Sequence, residues 1–337
     1  MSEPSILSDK KKPRILFINS DEPDYLHDLT YSGLMKVLGA EDVVDYPWNP
    51  HYHIKHRTYP RNLGYTPNSL FKSLASKFSS KEYDAVIVAS AKPECFVEYL
   101  KVSKDIPSST PVIFIDGGDF SYIGGDLTRL KAPHLYKEAV SKRPFDLIFK
   151  REYLVDGDYP ANVIPFPFSF NFNIKDIPIP NSLKYDVSFW AVESDPIRTA
   201  ALTLLEDKFD CRENGTVHNQ VFKKYKRKGL RYLEELKSCK IVLNFRGVGW
   251  DTLRYWEAPA IGRFMISQKP KIVIPDNFRD GKEIVFCKDD LSDLIDLCEF
   301  YLKNEELRET IARNAFELAK TSHSDVARAK YLLMKIP

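Results

Sequence analysis

The sequence predicts an α/β protein of two Rossmann-like domains facing each other across a cleft, and three observations predict it. Short apolar runs recur along the chain, each followed by a polar loop and a segment of helical period. Continuous rather than alternating apolarity means burial on both faces, as in a parallel sheet covered by helices. A proline-rich stretch interrupts the series, and the pattern then restarts. The chain has 337 residues, and single cores rarely grow past ~250–300 residues before splitting.

In the first half the runs are Ile15 to Ile18, Ala85 to Val88, Val112 to Ile115 and Leu147 to Phe149. Helices are expected between them, for example from Leu26 to Leu38 and from Phe96 to Val102. The stretch from Phe166 to Lys184 holds Pro167, Pro178 and Pro180 together with Asn171, Asn173 and Asn181. Proline removes a donor and fixes φ, so a crossing linker is expected there. The expected division is a first domain over 1–168, a linker over 169–184 and a second domain over 185–337. The last helix is expected to pack back on the first domain. After the linker come a strand from Asp186 to Trp190, a helix capped by Ser194 or Asp195 and ending at Leu205, and runs at Lys240 to Leu243, Arg263 to Ile266 and Glu283 to Phe286. Leu291, Leu294, Ile295, Cys298, Tyr301 and Leu302 form one apolar helical stripe. Leu307, Ile311, Ala315 and Leu318 form the next, with Asn304 as its expected N-cap.

Composition excludes several classes. With 43% hydrophobic and 28% charged residues the chain reads as globular rather than disordered. The formal charge is +2, so a nucleic-acid partner would need a local basic patch, and none is expected. No apolar run approaches the ~20 residues of a membrane span. The segment from Met1 to Arg14 is polar, unlike a secretory signal. The five cysteines are scattered with no CxxC pair, which fits a reducing compartment and gives no zinc spacing. The expected address is the cytoplasm, with Asn214-Gly215-Thr216 a turn rather than a glycosylation site.

The stretch with the most chemical content runs from Asn244 to Gly262. A buried strand ends, a loop with Gly247 and Gly249 follows, and a helix begins near Asp251 or Thr252. Backbone N–H groups at such a helix start favour an anion, and glycine lets a phosphate approach closely. Arg246 and Arg254 flank that point and suit a diphosphate. Glu257 follows about a turn and a half into the helix, where a carboxylate can accept from vicinal ribose hydroxyls. The same residues also fit a plain N-cap at Asp251 and an i, i+3 helix pair of Arg254 with Glu257.

Gly249-Trp250-Asp251-Thr252-Leu253-Arg254-Tyr255-Trp256-Glu257 and Phe278 to Glu283 resemble the C-terminal domain of the CgeB-like (spore-protein type) glycosyltransferases. The likeness continues through Asn304 to Arg308, Ile311-Ala312, Ser322-His323 and Arg328-Ala329. Asp24 to Asp28, Gly33-Leu34, Val43 to Pro47, Asp116 to Asp119 and Phe149 to Glu152 resemble the other half of similar proteins. The resemblance implies the GT-B fold, a nucleotide diphospho-sugar donor, transfer to a glycan, glycoconjugate or other hydroxyl acceptor with retention, and no essential metal or further cofactor. In related families two glutamates with seven residues between them mark the donor site. Glu257 matches the second, whereas Gly249 stands at the first, with Asp251 as a candidate substitute. In a GT-B arrangement Arg198, on the helix after the first strand of the second half, is placed to reach the diphosphate. Trp250 suits stacking on the base or sugar, or simple packing.

On the acceptor side, Asp116 and Asp119 follow a buried strand and suit an acceptor-orienting carboxylate or general base, or a tight turn. Lys150, Arg151 and Glu152 end another strand, beside the cleft or in solvent. His27 is a candidate acid or base. The stretch from Trp48 to Tyr65, rich in histidine, arginine and tyrosine, suits an acceptor platform, with Tyr52, His53 and Arg57 the candidate contacts; no metal is expected there. The basic run from Lys223 to Lys228 reads as a solvated helix end or, alternatively, as a contact with an anionic acceptor or membrane surface. A nucleotide-sugar epimerase and a noncatalytic nucleotide-sugar-binding subunit of a glycan assembly are the rival functions.

Overall fold

A computed structural model of the protein describes residues 12–22, 24–53, 83–174, 177, 182–188, 193–210 and 230–337. Its frame is two parallel sheets. The first holds β1 (Ile15–Ile18), β2 (Val43–Tyr46), β3 (Ala85–Val88), β4 (Val112–Asp116), β5 (Leu147–Lys150) and β6 (Val163–Pro165), in the order β2-β1-β3-β4-β5-β6. The second holds β7 (Tyr185–Ser188), β8 (Cys239–Asn244), β9 (Phe264–Gln268) and β10 (Val285–Cys287), in the order β10-β9-β8-β7. Around the first lie α1 (Tyr25–Leu38), α2 (Pro50–His53), α3 (Pro93–Val102), α4 (Gly125–Arg129) and α5 (Pro133–Lys142). The later helices are α6 (Pro196–Leu205), α7 (Leu230–Lys237), α8 (Leu253–Ala260), α9 (Leu294–Lys303), α10 (Glu305–Ser322) and α11 (Asp325–Lys335).

The runs that predict buried strands are buried: every residue of β1 and β3 is at most 1% exposed. Such strands need helices on both faces, and both sheets have them. At the start of α1 the Asp24 carboxylate accepts from Leu26 N and His27 N, the usual remedy for orphan helix N–H groups. Two expectations change in detail. The run Glu283 to Phe286 gives a strand only from Val285, because Arg279 and Glu283 close a turn through a 2.6 Å ion pair and a backbone bond. Asn304 stands at the N-cap of α10, but its amide donates to Phe300 O of the preceding helix instead of capping. Cys95, Cys239, Cys287 and Cys298 are buried and free, and Cys211 lies outside the described residues.

Among the described residues the two halves meet along several seams. Val155 N donates to Lys271 O and Val273 N to Tyr153 O, joining the segment after β5 to the one after β9. Phe170 pairs with Ser324, giving Phe170 N to His323 O and Asp325 N to Phe170 O. Finally α11 lies against α1, which is why almost the whole circumference of α1 is buried. Ser32 and Lys36 of α1 both donate to the Asp325 carboxylate, and Lys36 also donates to Asn171. Gly33 permits this approach, since a Cβ there would sit 2.1 Å from Asp325 O. Helix backbone cannot yield as a flexible side chain does, so Gly33→Ala is expected to cost ~1–3 kcal/mol through overpacking. A lowered denaturant midpoint with an unchanged slope is the outcome to look for.

Candidate functional site

The site is built where the strand ends of the two sheets meet. Asp116 and Lys150 are register partners on β4 and β5. Both are fully buried, with Lys150 Nζ 3.2 Å from Asp116 Oδ2 and also donating to Phe120 O. Asp116 accepts from Gly124 N at 2.9 Å, and burial raises its pKa against the pull of Lys150. It therefore staples its own loop and presents no surface to an acceptor. Asp119, three residues on, is different. Its carboxylate takes a hydrogen bond from Arg151, yet the side chain is 49% exposed.

Next to Lys150, Arg151 and Glu152 project into the second half. The Arg151 guanidinium lies over the Phe168 ring at 4.6 Å. Burial opposes its charge, but Glu152, Asp119 and Asp251 together hold its pKa above the ordinary value. Glu152, 2% exposed, accepts from Trp250 N at 2.8 Å and Asp251 N at 2.9 Å. The anion held by the N–H groups at this helix approach is thus one of the chain's own carboxylates. Gly249 makes room for it, because a Cβ at 249 would lie 2.4 Å from Glu152 Oε1. The space beside residue 249 is taken by a glutamate of the other half.

Asp251 is buried beside this pair. Its carboxylate accepts from Phe168 N at 2.6 Å and Trp256 Nε1 at 2.7 Å. Burial pushes its pKa up to about 7 against the pull of Arg151. Arg328 of α11 donates to Phe168 O, so Asp251 sits in a knot where the linker, α8 and the last helix converge. It is not the cap of α8. Thr252 holds the N-cap position, and its hydroxyl donates to Asn244 Oδ1 at 2.7 Å rather than capping.

A second cluster lies on the other side of the same loop. Gly247 N donates to Gly249 O at 2.9 Å, closing the turn. Against Gly247 lies Arg198, whose guanidinium donates to Phe245 O and Ser194 Oγ. Burial, then repulsion from Arg254, lowers the Arg198 pKa to about 10. Arg254, 8% exposed, has Nε and Nη1 buried without a hydrogen-bond partner among the described residues. Glu257 is 2% exposed and accepts from Tyr232 at 3.0 Å, whose own ionisation burial and Glu257 suppress. Arg246 turns outward instead: it pairs with Asp195 at 3.2 Å and lies over the half-buried Trp250 ring at 4.3 Å. A shallow surface hollow of about 900 Å³ lies between α6 and residues 289–291, lined by Ser194, Asp195 and Thr199 and by none of Arg198, Arg254 or Glu257.

The structure thus gathers Arg198, Arg246, Gly247, Gly249, Trp250, Asp251, Thr252, Arg254 and Glu257 around one loop, with Asp119 near enough to Arg198 to be felt electrostatically. It does not bring His27, Tyr52 and His53 there as open groups. His27, 1% exposed, contacts Tyr52 through Nε2 at 2.6 Å and Asp28 through Nδ1 at 2.9 Å. Tyr52 stacks on Tyr31 at 3.9 Å, and His53 pairs with Asp45 at 3.0 Å. These three belong to the polar interior between α1 and α2. Arg57, the rest of the expected platform, the basic run at 223–228 and the turn at 214–216 lie outside the described residues. Tyr232 had no signal in the sequence, since one tyrosine on a charged helix carries none. Glu152 had a weak one, the end of a strand in an open sheet.

Comparison with known proteins bears on the fold. Residues 201–334 match the family described as glycosyl transferase-like. HepE from Anabaena in complex with UDP-glucose superposes with a TM-score of 0.54 at 12% identity, over 96% of this chain and 98% of that one. Sucrose-phosphate synthase from Thermosynechococcus elongatus gives 0.53 at 12%, over 96% and 98%. An alpha-glucosyltransferase bound to UDP and a mismatched DNA gives 0.51 at 12%, over 95% and 97%. No curated protein matches the sequence. The chain has the GT-B fold, and its C-terminal part is similar to glycosyl transferase-like domains.

Proposed function

We propose that the chain is a glycosyltransferase that moves a sugar from a nucleoside diphospho-sugar to a hydroxyl acceptor, with retention and without an essential metal, as in the CgeB-like group its motifs resemble. The observation that carries this reading is a pair of buried arginines, Arg198 against Gly247 and Arg254 close enough to repel it. Two like charges removed from water, one with unpartnered N–H groups, are costly unless an anion joins them. A diphosphate fits that need, and guanidinium forks match its oxygens. In this reading Arg198 and Arg254 hold the diphosphate and stabilise the charge that grows on it as the glycosidic bond breaks. Glu257, already ordered by Tyr232, takes the ribose hydroxyls, and Arg246 with Trp250 borders the sugar.

On the acceptor side the reading favours Asp119. Asp116, Asp251 and His27 are enclosed, whereas Asp119 is half exposed and lies within electrostatic reach of Arg198. A hydroxyl bound there lies across the groove from the diphosphate. Four buried free thiols among the described residues support a cytoplasmic setting, and no described helix is long and apolar enough to cross a membrane. A panel of UDP-, GDP-, ADP- and dTDP-sugars, with UDP-glucose first, tests the proposal by thermal shift. A donor present at one hundred times its Kd adds about 2.7 kcal/mol to native stability. A melting temperature that no donor raises overturns the reading. Slow donor hydrolysis to nucleotide and sugar, rather than a C-epimerised donor, is the expected product without acceptor.

A further inference from the structure

We propose that Glu152, carried by the acceptor-side sheet, is a positioning residue for donor binding: its carboxylate holds the turn on which the phosphate-binding arginines are aligned. The inference rests on the donor site proposed above and adds a residue from the opposite half. Glu152 touches no donor in this arrangement, being buried beneath the turn.

The route from Glu152 to the arginines is short and made of fixed contacts. Its two oxygens hold Trp250 N and Asp251 N, which sets the backbone immediately after Gly249. The Gly249 carbonyl in turn receives Gly247 N, so holding one end of the turn holds the other. Gly247 lies directly against the Arg198 guanidinium, 3.1 Å from where its Cβ would be. On the far side, Asp251 leads into α8, whose second residue is Arg254. Without an anion at this point, two inward N–H groups would be left buried and unpaired, and the turn would have to open to water. The carboxylate reaches them only because residue 249 has no side chain. Gly249 and Glu152 are therefore two parts of one device, split between the halves, and the donor turn takes this shape only while the halves are in contact.

Calorimetric titration of the full chain with UDP, GDP, ADP and dTDP tests this, on wild type, Glu152→Gln, Glu152→Ala and Gly249→Ala, each well below its own melting temperature. Glutamine keeps one acceptor oxygen and is expected to raise the Kd of the best-bound nucleotide about 10-fold. Alanine at 152, and the intruding methyl at 249, are each expected to raise it about 100-fold. The graded recovery from alanine to glutamine is the sign of positioning. Lower melting temperatures with an unchanged Kd would make Glu152 merely structural and overturn the proposal. If Arg254→Met weakens nucleotide binding while the Glu152 and Gly249 variants do not, this proposal fails and the donor site stands. A wild type that binds none of the four overturns the donor site and this proposal together.

Discussion

Arg254→Met is expected to weaken nucleotide binding by about 100-fold while leaving the unliganded protein as stable as wild type, or more so. The two halves of that expectation come from one geometry. Arg254 is buried, with two guanidinium nitrogens lacking hydrogen-bond partners among the described residues. Its charge also weighs on Arg198, whose pKa burial and then Arg254 depress to about 10. Methionine keeps much of the stem's packing, removes an under-solvated charge and relieves Arg198. In the complex the same change removes a charge-assisted fork to the diphosphate, and such bonds are worth ~1.5–3 kcal/mol each. Calorimetry on the apo and nucleotide-bound forms separates the two effects. Arg254→Lys keeps the charge without the fork and should fall between. An apo protein that unfolds on Arg254→Met, with nucleotide affinity intact in the folded remainder, would mark Arg254 as a structural residue.

The second large effect concerns pH and the knot between linker, α8 and α11. Burial, then Arg328, lowers the His323 pKa from 6.5 to about 3. The neutral ring donates from Nε2 to Asp276 O and packs edge-on against Trp256. Between about pH 6.5 and 3 the unfolded chain binds a proton here that the folded chain refuses. The histidine's contribution is therefore full above pH 6.5 and lost as pH falls. Asp251 has the opposite sign. Burial raises its pKa to about 7, so its folded form favours the proton, and stability is lost as pH rises from about 4 to 7. Each shift spans roughly three pH units, on the order of 4 kcal/mol per group at about 1.4 kcal/mol per unit. The two slopes oppose each other between pH 4 and 6.5. Single substitutions should unmask them: His323→Gln leaves stability falling as pH rises through that window, and Asp251→Asn leaves it rising. Denaturation midpoints across a pH series read both, and parallel profiles for wild type and the two variants would contradict the assignment.

How much of this was legible in the sequence follows from the range of the interactions. Strands buried on both faces announce themselves by composition, so β1 and β3 appear in the sequence with their observed limits. The edge strands β2 and β6 do not: each is short and its burial is incomplete, so nothing distinguishes Val43–Tyr46 or Val163–Pro165 from loop. The donor turn is readable because its parts are local, a strand end, two glycines and a helix start within a few residues. What the sequence could not say is which anion the turn would hold. Glycine at 249 reads as room for a phosphate; in the structure it is room for Glu152, 98 residues before Trp250. The enclosure of Asp251 and Asp116 went unread in the sequence for a related reason. A carboxylate at a strand or helix end looks alike whether it faces a groove or, as here, Phe168 and Lys150 from elsewhere in the chain.

A crystal structure of the wild type with a bound nucleoside diphosphate, UDP first, puts the central claim to its most direct test. The account predicts phosphate oxygens within hydrogen-bond distance of both Arg198 and Arg254 beside Gly247, with the ribose at Glu257 and Glu152 still on the backbone of Trp250 and Asp251. Phosphates seated elsewhere, with Arg254 untouched, would contradict it.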